Sequence, residues 1–264
     1  MAEYKTLLLE DRGPVRLITL NQPQIFNPLD YGSGPELIQA LEEAGADPAV
    51  RVLVLTGAGP AFSGGGNVRE MAKALKSGEK PSIFFSELAA MLHRSVSTLR
   101  RLPKPVVCAL NGVVSGGGIG WALSCDIVVA SQKARFDPGY IRIAVSPDGG
   151  STALITRVLG LQRASAFFML SEAIDAPTAQ AWGLVNRVVA PEALLEEALA
   201  VAQRLAKGPA TALAQTKALI NQAMFGDLET VMENERQSLC RLGDQPDFAE
   251  GITAFFEKRK PTFA

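Results

Sequence analysis

Histidine is almost absent from this sequence, cysteine is scarce, and neither sign of charge prevails. With His93 as the one histidine in 264 residues, a His-rich metal site or a Ser-His-Asp triad is hard to build. Three cysteines, Cys108, Cys125 and Cys240, form an odd set without a CxxC pair, which reads as reduced thiols. Lysine and arginine number 26 against 27 acidic residues, a net charge of -1 with no long run of like charge. That removes the electrostatic footprint of a dedicated nucleic-acid binder, so an anionic ligand would have to be held by a local site. No GKS or GKT occurs, no GxSxG elbow occurs, and the third glycine of a GxGxxG would fall on Trp121 or Arg69. No uninterrupted apolar run approaches membrane-spanning length, and the opening MAEYKTLLLEDRG lacks the apolar stretch of a signal peptide. A cytoplasmic protein without membrane or nucleic-acid partners is expected.

What is present suits a folded α/β chain: 47% hydrophobic and 20% charged residues, enough for one large domain or one with a small appendage. Apolar runs at 6–9 and 15–20 flank Asp11-Arg12-Gly13-Pro14 and predict a β-hairpin. Leu37, Leu41 and Ala44 recur at helical spacing. Residues 50–56 form a strand-like run with both faces apolar, followed by a glycine-rich loop at 62–67 and a helix opening near Val68. The pattern then returns. A helix over 82–101 is followed by a buried strand at 106–110, a second glycine cluster at 116–118 and a short helix toward Ser124. Two short strands are expected at 127–130 and 134–136. Beyond Gly149 the chain reads as mostly helical, with one stripe at Leu195, Leu199, Ala202 and Ala206 and another through Leu213, Lys217, Ile220 and Met224. We divide it into a core over 1–200 and a helical C-terminal region over 201–264.

The two glycine loops carry the chemical interest. Glycine lets backbone approach a ligand closely, and the first N–H groups of a helix have no intrahelical partner. Two such N–H groups aimed at one carbonyl oxygen form an oxyanion hole. Tight turns without function remain the plain alternative.

Asn111-Gly112-Val113-Val114-Ser115-Gly116-Gly117-Gly118, running on to Cys125-Asp126-Ile127, resembles the signature segment of the crotonase (enoyl-CoA hydratase/isomerase) superfamily. Ala61-Phe62-Ser63-Gly64-Gly65-Gly66-Asn67-Val68 is similar to its other loop, and Leu102-Pro103-Lys104-Pro105, Ala181-Trp182-Gly183-Leu184-Val185 and Phe256-Glu257-Lys258-Arg259-Lys260 extend the likeness along nearly the whole chain. The resemblance implies a spiral of ββα repeats with a helical trimerisation region, assembled as a homotrimer or a dimer of trimers. It implies an acyl-CoA thioester substrate whose carbonyl sits between the N–H groups of Gly66 and Gly117, with coenzyme A as part of the substrate and no metal or redox cofactor. The coenzyme's length is expected along Asn27 to Leu29 and along Ser63, Gly64, Asn67 and Val68, with Lys258 reaching a phosphate.

The chain departs from the family's hydratases, which use two glutamates: Gly120 and Tyr140 stand at those positions. Glycine at 120 is expected to leave room for a bulky or cyclic acyl group. One carboxylate remains, Asp148, which by local pattern is also a helix N-cap. In isomerases of the superfamily an aspartate here is the acid/base, and the resemblance gives Asp148 that role, its pKa raised by apolar surroundings. A double-bond isomerase acting from Δ3 to Δ2, or on a related ring, is the expected activity. The alternatives are an aryl-CoA dehalogenase or acyl-CoA hydrolase with Asp148 as nucleophile and His93 and Tyr140 as helpers, a hydratase-like enzyme, and a non-catalytic acyl-CoA binder. Asn67 stands in place of a commoner aspartate. Trp121 reads as core, Asp126 as a loop-ordering residue and Arg142 as a surface arginine.

Overall fold

A computed structural model describes residues 3–78, 80–225 and 228–262. Strands β1 (Leu7–Arg12) and β2 (Val15–Leu20) form the expected antiparallel hairpin, and α1 (Ser33–Ala46) follows. Three units then repeat a theme: β3 (Val52–Gly57), β4 (Ala61–Ser63) and α2 (Val68–Lys76), with α3 (Pro81–Arg101) crossing to the next; β5 (Val106–Leu110), β6 (Val113–Ser115) and α4 (Gly117–Ser124); and β7 (Ile127–Ser131), β8 (Arg135–Asp137) and α5 (Ser151–Leu170). The chain closes through β9 (Ile174–Asp175), α6 (Ala176–Ala181), β10 (Arg187–Val189), α7 (Leu194–Ala206), α8 (Ala210–Phe225), α9 (Leu228–Gly243) and α10 (Pro246–Glu257).

The first strand of each unit enters one sheet, in the order β1-β2-β3-β5-β7-β10, and the second enters another, β4-β6-β8-β9. This is the spiral of ββα turns. β3 shows why its run is apolar throughout. Val52 and Val54 join the cluster under α7, whereas Leu53 and Leu55 join the main core on the other face. Each such side chain contributes roughly 1.5–3 kcal/mol on burial.

Pairing β4 with β6 and β6 with β8 in parallel brings their C-terminal ends to one side. The loops at 64–67, at Gly116 and at 138–150 therefore emerge together, the usual place for a ligand beside parallel strands.

Several expectations change here. A division at residue 200 would cut α7, whose Leu194, Ala198, Leu199, Ala202 and Ala206 pack on the large sheet as part of the core. Along α8 it is Lys217 that is buried, while Ile220 and Met224 are exposed. Its ammonium donates to the carbonyls of Leu99 (2.8 Å) and Lys104 (3.1 Å) and pairs with Asp126 at 2.8 Å, so a hidden cation ties the C-terminal region down. By length and mean hydropathy (1.2) α5 is apolar enough to cross a membrane, although no continuous run signals it. Gly160 interrupts it at φ 72, and Leu154, Ile155, Phe167 and Phe168 are buried in this fold.

Candidate active site

The first site loop hangs from the end of β4. Its backbone is stitched to residues 26–29: the Gly64 N–H donates to Phe26 O (2.6 Å), Leu29 N–H to Gly65 O (2.7 Å) and Asn67 N–H to Leu29 O (3.0 Å). This parallel bridge uses the groups on either side of Gly66 and leaves the Gly66 N–H without a protein acceptor among the described residues. Asn67 caps α2 by accepting from the Arg69 N–H, and its amide donates to the Asp30 carboxylate at 3.2 Å. An aspartate at 67 would set two carboxylates against each other, which accounts for the amide.

The second loop follows β6. Gly116 adopts φ 48 and ψ -130, a backbone open only to glycine, and a Cβ on Gly65 would lie 2.8 Å from Ser115 O. The two loops thus touch backbone to backbone. Gly117 opens α4, and its N–H also lacks an acceptor among the described residues.

The third loop brings in Asp148. A Cβ built on Gly117 would stand 3.6 Å from Asp148 Oδ1, so the carboxylate sits beside Gly117. Tyr140 donates its hydroxyl to that oxygen at 3.0 Å. Asp148 is only 7% exposed, and burial pushes its pKa up to about 6, with the Tyr140 hydrogen bond pulling the other way. Burial holds the Tyr140 phenol well above its usual range. The N-cap reading of Asp148 fails. The α5 cap position is Gly150, and Ser151 bonds to the main-chain carbonyl of Asp148, which frees the carboxylate for the cavity.

A cavity of about 780 Å³ joins the three loops. Of the residues singled out from the sequence, Leu29, Gly64, Gly66, Asn67, Val68, Gly117 and Asp148 line it. Three expected residues do not. Asn27 is buried and clamps the turn instead, accepting from the Gln22 N–H and donating to Ala58 O and Ala61 O. Ser63 lies behind the loop, its hydroxyl accepting from the Gly65 N–H at 3.2 Å. Lys258 terminates α10 at φ 53 and points to solvent, whereas Arg259 lines the cavity, paired with Glu250 and Glu257. The cavity's apolar walls include Met71, Phe85, Leu88, Leu92, Val145 and Leu239, drawn from α2, α3, α9 and the loop before Asp148, a mixture that no local motif announces.

Gly120 also departs from expectation. A Cβ there would fall 2.4 Å from the Gly149 carbonyl oxygen, so the position is filled by the turn next to Asp148 and offers no room to a substrate. Trp121 is fully buried and donates to Ser95 Oγ at 2.7 Å, away from the cavity. Asp126 accepts the Val106 N–H and pairs with Arg100 and Lys217. His93 lies on α3 off the cavity wall, its pKa drawn down to about 4 by burial. Arg142 does reach the cavity wall, half exposed and paired with Asp137. Sequence reasoning missed Glu235 of α9, a buried carboxylate that accepts the Gly150 N–H at 2.7 Å and the Thr152 hydroxyl. Its signal was a charge inside the stripe Leu228, Met232, Glu235, Leu239, whose 4-3-4 spacing marks one face of a helix.

A sequence model for enoyl-CoA hydratase/isomerase matches residues 10–264. Trans-2-decenoyl-[acyl-carrier-protein] isomerase of Streptococcus mutans is 31% identical over 261 residues, covering 99% of this chain and 98% of that protein. The 1,2-epoxyphenylacetyl-CoA isomerase of Escherichia coli is 34% identical over 249 residues, 94% of each chain. Among solved structures, an enoyl-CoA hydratase from Mycobacterium avium subsp. paratuberculosis superposes with a TM-score of 0.89 at 34% identity, over 99% of this chain and 100% of the other.

Proposed function

This chain belongs to the enoyl-CoA hydratase/isomerase family, and within it we propose that the chain is a double-bond isomerase of unsaturated acyl-CoA thioesters, with Asp148 as the single acid/base. The observation that carries this reading is a buried carboxylate beside Gly117, in a cavity that also holds Gly66, where neither glycine N–H has an acceptor among the described residues. A thioester oxygen between Gly66 and Gly117 gains two donors as charge develops on it, which acidifies the neighbouring carbon. Asp148 then takes a proton from C2 of a 3-enoyl group, the electrons move through the former double bond to leave a dienolate, and the same carboxyl returns the proton to C4. No atom is gained or lost, so one carboxylate suffices. Its pKa of about 6 leaves it ionised at neutral pH yet basic enough to work. The Tyr140 hydroxyl fixes Oδ1.

Addition of water, the activity named for the Mycobacterium relative, calls for a second acid/base group. At the two positions where a hydratase would carry glutamates, position 120 is closed by Gly149 O and position 140 holds a phenol bonded to Asp148. Glu235 faces Gly150 and Thr152, not the cavity.

The test is a product assay with a 3-enoyl-CoA, a 2-enoyl-CoA and a halogenated aryl-CoA. We expect a conjugated product of unchanged mass from the first, reduced about 100- to 10,000-fold by Asp148→Asn. Hydration of the 2-enoyl-CoA by both proteins would sink the reading, and halide release would replace it with nucleophilic substitution at Asp148. We propose the homotrimer, or a dimer of trimers, as the working assembly, supported by the apolar Leu161, Met169 and Leu170 on the α5 surface; light scattering decides it.

A further inference from the structure

We propose that Glu235 is a positioning residue for the Asp148 carboxylate, so that α9 makes the C-terminal helices part of the working site. The proposal rests on Asp148 being the group that moves the proton.

The turn that presents Asp148 has little of its own to hold it. Gly149 and Gly150 both sit at positive φ, 63 and 72, and glycine imposes no preference for that shape over others. Helix α5 begins at this turn without a side-chain cap. The missing cap arrives from a segment about eighty-five residues away in the chain. Glu235 accepts the Gly150 N–H at 2.7 Å on one oxygen and the Thr152 hydroxyl on the other. With Tyr140 holding Oδ1 and Ser151 holding the Asp148 carbonyl, the turn is pinned at its start, middle and end. Remove Glu235 and the Gly150 N–H loses its partner inside the fold, while the walls of the cavity stay in place.

A buried carboxylate is costly unless its partners are fixed, and α9 otherwise presents Leu228, Met232 and Leu239 on this face. Leu239 lines the cavity one turn beyond Glu235, so one helix face carries both a pocket wall and the brace behind Asp148. No cation faces the two carboxylates among the described residues. Helix α3 offers Leu92 and Val96, α4 offers Gly117, the segment before Asp148 offers Tyr140, and α5 offers the Gly150 N–H and the Thr152 hydroxyl. Arg236 donates to Glu233 and to Ser86, with His93 beside them, away from the pair. Burial, with Asp148 adding repulsion, raises Glu235 to about 7, so both of its forms are within reach near neutral pH. A protonated Glu235 keeps both bonds, accepting from Gly150 and donating to Thr152 Oγ1, an arrangement a glutamine can copy.

The experiment compares Glu235→Ala, Glu235→Gln and Thr152→Val with wild type in kcat, KM and the Asp148 carboxyl titration followed by carbon NMR. Glu235→Ala is expected to lower kcat about tenfold to a hundredfold, as a misplaced reacting group does. KM should stay within about twofold, because the acyl and CoA walls are untouched. Glu235→Gln should restore most of kcat. A purely structural brace would lower the melting temperature and leave kcat of the folded enzyme alone. Unchanged kcat in folded Glu235→Ala, or equal damage in Glu235→Gln, overturns the proposal. Should Glu235→Ala fail to fold, Thr152→Val, which removes one of the two bonds, decides by the same split between kcat and KM. If wild type isomerises nothing, the functional reading fails, and the NMR titration still judges the brace. A shift of the Asp148 midpoint by more than about half a pH unit upholds it when Glu235→Ala shows it and Glu235→Gln, which removes the charge but keeps the bonds, does not. Where the alanine variant does not fold, the same shift in Thr152→Val upholds it. Equal shifts in Glu235→Ala and Glu235→Gln, or no shift, overturn it.

Discussion

At the scale of the residue, Asp148 is held in a form the fold does not favour. Its folded pKa of about 6 exceeds the ordinary 3.8 of an aspartate. Between these values the folded protein binds more protons than the unfolded chain, so stability falls as pH rises through that window and then levels off. Holding the carboxyl that far above its ordinary value costs on the order of 3 kcal/mol at neutral pH. Asp148→Asn should therefore melt at a higher temperature than wild type at pH 8, with the gap closing near pH 4, even as activity disappears. Thermal denaturation across that range checks it; a gap independent of pH would contradict the burial argument. The same carboxylate must be ionised to act as base, so kcat should rise through about pH 6 in wild type. Asp148 stands out in the sequence as the lone acid in a suggestive loop. Its environment does not, because Tyr140, Leu92 and Gly117 reach it from three different segments.

At the scale of the element, α4 and the turn before α5 are in contact without side chains between them. The Gly120 Cα faces the Gly149 carbonyl so closely that a Cβ would approach to 2.4 Å. Gly120→Ala is expected to cost about 1–3 kcal/mol in urea unfolding, as overpacking does, and to lower kcat by moving Asp148. Gly120→Glu should not create hydratase activity, and a gain of water addition in that variant would show that the turn can yield. Long elements such as α3 and β5 are legible in the sequence because their periodicity or unbroken burial spans five residues or more. Strands β4 and β6 are not legible as strands because each runs straight into a glycine cluster, whereas β8, equally short, is expected at 134–136. Yet these short strands are what align the two glycine loops.

At the scale of the whole molecule, the C-terminal helices are fastened to the core by a buried ionic cluster. Asp126 receives Arg100 at 3.1 Å and Lys217 at 2.8 Å, and both cations are nearly hidden from solvent. Asp126→Ala leaves two buried cations without their shared anion, and a loss of about 3–5 kcal/mol is expected in denaturant unfolding. Because α9 follows α8 and carries Glu235, that variant should also lower kcat in the native enzyme; intact stability would show that water or Asn221, which bonds Arg100, takes over the charge. The sequence alone determined the repeated strand-loop-helix order, the two glycine loops, the family likeness and the lone aspartate, since each is written in contiguous residues whose spacing has a direct conformational meaning. Only the tertiary structure decided that Gly120 is filled by backbone, that Asn27 and Ser63 brace the loop from behind, and that Glu235 caps the turn of Asp148. These depend on which distant segments meet, and side chains brought together from far apart in the chain leave no period in it to read.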